Sequence, residues 1–149
     1  MSLKQLLDEQ HSRLGELLAL LEQEQSCLIK GKVDGEHLQQ LAASKAALQQ
    51  VLADTEHRRH QVQLRLGYED NRAGARRASL DAGCAELWDQ LCQRAEQVAR
   101  ANRRSGEVLH LRMDQNRQIL EQIHRLAQPS VYSANGRAPL QSPRLNASA

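Results

Sequence analysis

The chain has 149 residues, which at ~100–200 residues per domain is one domain, and it contains no Phe, one Trp and two Tyr. Leucine is abundant, and Leu, Ala, Gln, Glu and Arg dominate; these favour helices, and a β-sandwich or doubly wound sheet is excluded. Twenty Lys and Arg stand against 18 Asp and Glu, and the excess of +2 lies in Arg137 and Arg144, so the neutral body argues against a dedicated nucleic-acid binder.

A first helix is expected from about Ser2 to Lys30. Leu3, Leu7, Leu14, Leu17, Leu21 and Leu28 follow 3/4 spacing, and Leu6 and Leu18 widen the stripe. Gln10 and Glu24 interrupt the seam. Ser2 is placed to cap the first turn, and Gly31 to end the helix as a left-handed residue.

A second helix is expected from Asp34, its N-cap, to Leu66. Leu38, Leu41, Leu48, Leu52, Val62 and Leu66 make the stripe, with Gly67 as the stop. Lys45 and Arg59 fall on the seam, where their stems can cover apolar surface while the heads reach water. Residues 67–79 then read as a loop, with two glycines and no apolar period.

A third helix is expected from Ser79, its N-cap, to Gln128. Leu80, Cys84, Leu87, Leu91, Val98, Leu109, Met113, Leu120 and Ile123 mark its seam. The stripe thins at Ala101, Asn102, Ser105 and Gly106, where a kink, a break or a close backbone approach is permitted. At ~1.5 Å per residue the first two helices reach ~45 Å and the third ~70 Å. Short connections make neighbours antiparallel, so ~25 Å of stripe, Leu109 to Leu126, is left over. A bend, self-association or a client would have to cover it.

The expected fold is all-α: a long antiparallel three-helix bundle or coiled coil over residues 1–128, with an over-long third helix. Residues 129–149 hold all three prolines, lack helical period and read as a flexible tail. Tyr132 is the only aromatic there.

Chemistry is thinly represented. His57 and His60 share a helix face, but zinc wants three or four converging ligands and no Cys-x-x-Cys pair exists. No Gly-x-Ser-x-Gly or phosphate loop occurs, so neither an enzyme nor a cofactor is expected. Cys84 lies near a helix start but on the apolar seam, where a packed thiol is the plainer reading. Cys27, Cys84 and Cys92, an odd number within helical patterns, suit a reducing cytosol. No apolar run approaches 18 residues, so no membrane insertion is expected. MSLKQLLDEQH has no apolar core and carries acids early, so a secretory signal is not expected either. Binding protein with helices is what remains.

Several short motifs carry a resemblance. Leu17-Leu18-Ala19-Leu20-Leu21-Glu22 is followed by Gly31-Lys32-Val33-Asp34, then Leu38-x-x-Leu41-x-x-x-Lys45, Arg59 and Leu66-Gly67. Asn102 precedes Leu109, with Ser105 standing where a second Asn is common. Val131-Tyr132-Ser133-Ala134-Asn135-Gly136 follows the last helix. In this order the chain resembles the FlgN family of flagellar export chaperones over nearly its whole length. The resemblance implies a cytoplasmic bacterial chaperone of type III secretion that acts in flagellum biogenesis. It would hold hook-associated proteins 1 and 3 unpolymerised and deliver them to the export gate. Leu109, Met113, Ile119, Leu120, Ile123 and Leu126 are the expected client surface. Tyr132 and Gly136, by the tail motif, are the expected contact with the gate's cytoplasmic domain. The alternative is a non-enzymatic helical adaptor whose stripe closes in a homo-oligomer, a state also open to the chaperone without client.

Overall fold

The computed structural model describes residues 2–127 with their side chains. It is an all-α bundle of four helices: α1 (Leu3–Ile29), α2 (Gly35–Arg65), α3 (Arg72–Asp81) and α4 (Ala85–Ser148). The expected boundary at residue 128 and the expected tail, 129–149, with Tyr132 and Gly136, lie outside the described residues. The chain divides into two units, residues 1–108 and residues 109–149.

In the first unit the three long helices run up, down and up. Gln10 bonds Glu56, and Lys45 bonds Glu24, so α1 and α2 are antiparallel. Arg94 bonds the His11 carbonyl and Gln25 bonds the Ala101 carbonyl, so α4 ascends beside α1. The core is continuous. Leu3, Leu7, Ala75, Ala78, Cys84, Trp88 and Leu91 fill one end, and Leu17, Leu21, Leu48, Val98 and Ala101 the other, with Leu14 touching both. Each fully buried leucine contributes roughly 1.5–3 kcal/mol.

Helix ends follow local chemistry. The Ser2 hydroxyl accepts from the Gln5 N–H while the Gln5 side chain accepts from the Ser2 N–H, a reciprocal capping box. Asp34 caps α2 by accepting from the His37 N–H. Gly67, at φ 82°, ends α2: its N–H donates to the Leu64 carbonyl and the next N–H, Tyr68, to Gln63. Gly31 does not act as foreseen. α1 closes at Lys30 in an extended conformation, and among the described residues positive φ occurs only at Gly67 and Gly83.

The connection after α2 also differs from expectation. Residues 67–79 are largely helical, because Asn71 caps α3 by accepting from the Gly74 N–H at 2.7 Å. Ser79 is therefore not an N-cap. It is buried near the end of α3, and its hydroxyl donates to the Ala75 carbonyl. Gly83 closes α3 with the same two-bond pattern that Gly67 uses, after which Ala85 opens α4. α3 packs through small residues, Gly74, Ala75, Ala78 and Ser79. A Cβ on Gly74 would collide with the Glu69 carbonyl oxygen, so the turn lies directly on the helix backbone.

The thin stretch of the third long helix is a close contact. Ala101 and Ser105 are buried, and the Ser105 hydroxyl lies 3.5 Å from the Leu21 carbonyl. α4 passes through Gly106 without interruption, and open space surrounds that Cα.

Candidate functional site

The polar seam residues of the first unit are joined to one another. Arg59 is only 6% exposed, so its guanidinium does not reach water as its spacing suggested. It donates to both Glu56 carboxylate oxygens, at 2.7 and 2.8 Å, and to Gln63 at 2.9 Å. Its guanidinium carbon lies 5.3 Å from the Trp88 ring centroid, over the aromatic face. Burial alone would raise Glu56, but the hydrogen bonds from Arg59 and Gln10 and the Arg59 charge outweigh it and hold this carboxyl below its ordinary range. Gln63 is buried and donates to the carbonyls of Glu69 and Asn71, tying the turn to α2. This network leaves its charges paired among themselves, an arrangement that sets register between helices.

Cys84 is buried, and that burial pushes its thiol up, against thiolate formation. His60 pairs with Asp70 and His57 with Gln61. Among the described residues no three His, Cys, Asp or Glu side chains gather closely enough to hold a metal ion. Among them, too, no helix is long and apolar enough to cross a membrane.

The second unit is arranged differently. Leu109, Met113, Ile119, Leu120, Ile123 and Leu126 are all exposed, between 47 and 79%. At about 100° per residue they span an arc of about 140° on one helix face. Leu109, Met113, Leu120 and Ile123 form its centre, and Ile119 and Leu126 one margin. Asn116 interrupts the centre. Such a row of large side chains exceeds what an isolated surface leucine would explain. The structure thus brings all six expected residues to one face and leaves that face open. Leu111, also exposed, was not foreseen; it lies on the opposite side, about 160° from Leu109, and does not extend the row.

Arginines and histidines border this arc. Arg112 falls within it, and His110, Arg117 and His124 follow its other margin. Arg117 pairs with Asp114 at 3.2 Å, one turn away on the same helix.

Comparison with known proteins shows the family to which the chain belongs. Residues 1–139 match the family described as FlgN protein. The flagella synthesis protein FlgN of Escherichia coli K12 is 28% identical over 134 residues, which is 90% of this chain and 88% of that protein. The protein of the same name from Proteus mirabilis is 26% identical over 136 residues, covering 91% of this chain and 89% of its own length. That of Salmonella typhimurium is 26% identical over 134 residues, 90% of this chain and 88% of the relative. No solved structure matches. With the family match spanning most of its length, this chain belongs to the FlgN family.

Proposed function

We propose that this protein is a cytoplasmic, non-enzymatic chaperone of flagellar type III export. It binds hook-associated proteins 1 and 3 through amphipathic terminal segments, prevents their premature assembly and delivers them to the export gate. The exposed row from Leu109 to Leu126 carries this reading. A segment that forms an amphipathic helix only on assembly would hide its apolar face on such a row, by helix-to-helix docking. Met113 at its centre adapts in shape to more than one client. Membership of the FlgN family, whose relatives are flagella synthesis proteins, supports the flagellar setting. Tyr132 and Gly136 are proposed to contact the cytoplasmic domain of the gate.

The test is a pair of measurements on the variant carrying Leu120→Ser and Ile123→Ser. Circular dichroism should report an unchanged fold, and binding to the carboxy-terminal segment of either hook-associated protein should fall at least tenfold. Unchanged client affinity in the folded variant would defeat the reading. Light scattering that finds a stable dimer, dispersed by the same substitutions but not displaced by client, would favour the adaptor instead.

A further inference from the structure

The charges around the open row say what its occupant must carry. On the heptad that fits the row, Met113 and Leu120 take position a, and Leu109, Asn116 and Ile123 take position d. The flanking e positions are then His110, Arg117 and His124, and the g positions Arg112, Ile119 and Leu126. Every flank is Arg, His or apolar, and none is acidic. The two acids of this stretch, Asp114 and Glu121, fall about 120–140° from Leu109, beyond the e-side margin.

Three occupants can be compared on this ground. A second copy of this chain, paired in parallel, would set Arg112 against Arg117 of its mate; paired antiparallel, it would set e against e and g against g, again without one opposite charge. Residues 122–149 contain Arg125, Arg137 and Arg144 and no Asp or Glu, so they offer no acidic side chain to the border. A separate amphipathic helix with acidic flanks matches both the apolar row and its border. Arg112 already has a partner of its own, and the Arg117–Asp114 pair is exposed, weak and easily exchanged, so a docked carboxylate would compete with existing contacts rather than meet bare charges.

We propose that the row takes an amphipathic helix whose apolar face is edged with Asp or Glu, and that these carboxylates select it over a second copy of this chain. This rests on the docking role given above and specifies the chemistry of the docked segment.

Two synthetic peptides test it against the full-length protein by fluorescence anisotropy. Both present the same Leu/Ile face at a and d; one carries Glu at all e and g positions, the other Lys. At 50 mM NaCl the Glu peptide should bind at least about tenfold more tightly, because several rim pairs add. At 500 mM NaCl the gap should close to less than threefold, because exposed pairs are screened. The variant with Arg112→Glu and Arg117→Glu should reverse the preference. Arg117→Glu alone, at an exposed position, should narrow it. Equal binding of both peptides, with no salt effect on their ratio, would overturn the acidic-edge inference and leave the docking role intact. Failure of both peptides to bind the folded protein would sink the two together. So would self-association through the row that persists at low salt and excludes the Glu peptide.

Discussion

The stretch from Leu3 to Leu28 and the stretch from Leu109 to Leu126 follow the same helical period, yet one is buried and the other exposed. Leucine content does not decide between them. In the first, every polar residue on the seam has a match on another helix: Gln10 meets Glu56, and Glu24 meets Lys45 at 3.1 Å. Small residues on α4, Ala101 and Ser105, then let α1 approach. In the second, Asn116 stands in the seam with basic residues on its flanks. A stripe becomes core when a complementary stripe faces it, and a binding surface when its complement lies on another molecule.

The comparison can be broken most forcefully by the same substitution in both places. Leu21→Ala should cost about 3 kcal/mol in urea denaturation, as for a fully buried leucine. Leu120→Ala should change stability by less than about 0.5 kcal/mol. Equal costs would show that the second stripe is core in solution. Two glycines give the next contrast. Gly74→Ala should destabilise by about 2–3 kcal/mol, since its Cβ would collide with the Glu69 backbone. Gly106→Ala should stabilise by up to about 1 kcal/mol, since the helix is regular there and the space is open. Thermal melts of the pair would read the opposite signs.

Acid provides a smaller test. Glu56 is held below its ordinary range when folded, so its contribution is complete above the unfolded carboxylate pKa and is lost as pH falls through the folded one. Stability measured from pH 6 down to pH 3 should fall more steeply in the wild type than in Glu56→Gln. The difference should be under about 1 kcal/mol, because the carboxylate is half exposed and partly screened. Smallest of all is Tyr132→Ala. It should shift stability by less than about 0.5 kcal/mol and leave client pull-down unchanged while gate pull-down is lost. Equal gate binding by both proteins would remove Tyr132 from the delivery role.

Long helices announced themselves in the sequence because their leucines recur and their caps are specific. Ser2, Asp34 and Gly67 act as their types suggest. The short helix α3 was hidden because it packs through Gly, Ala and Ser and so has no leucine period. Its signal was present in another form: Asn71 before it, Gly83 after it, and small residues at 74, 75, 78 and 79. Arg59 was misplaced for a related reason. Spacing puts it on the seam but cannot tell whether a carboxylate, an amide and an indole wait there. The apolar row from Leu109 to Leu126 was legible from its helical spacing alone. The charged border needed the helical positions to be laid out around it.

Trp88 gives the molecule a built-in optical reporter with a restricted field of view. It is the only tryptophan in the chain, and it sits against Arg59 near the turn that α3 closes. Its emission will therefore follow the opening of that end. Ellipticity counts helix everywhere. Recorded together during one denaturant titration, the two signals should part company if the row from Leu109 loses its helix first, and coincide if the whole chain melts at once. The protein can thus be asked which part of it orders around a bound segment without attaching any label.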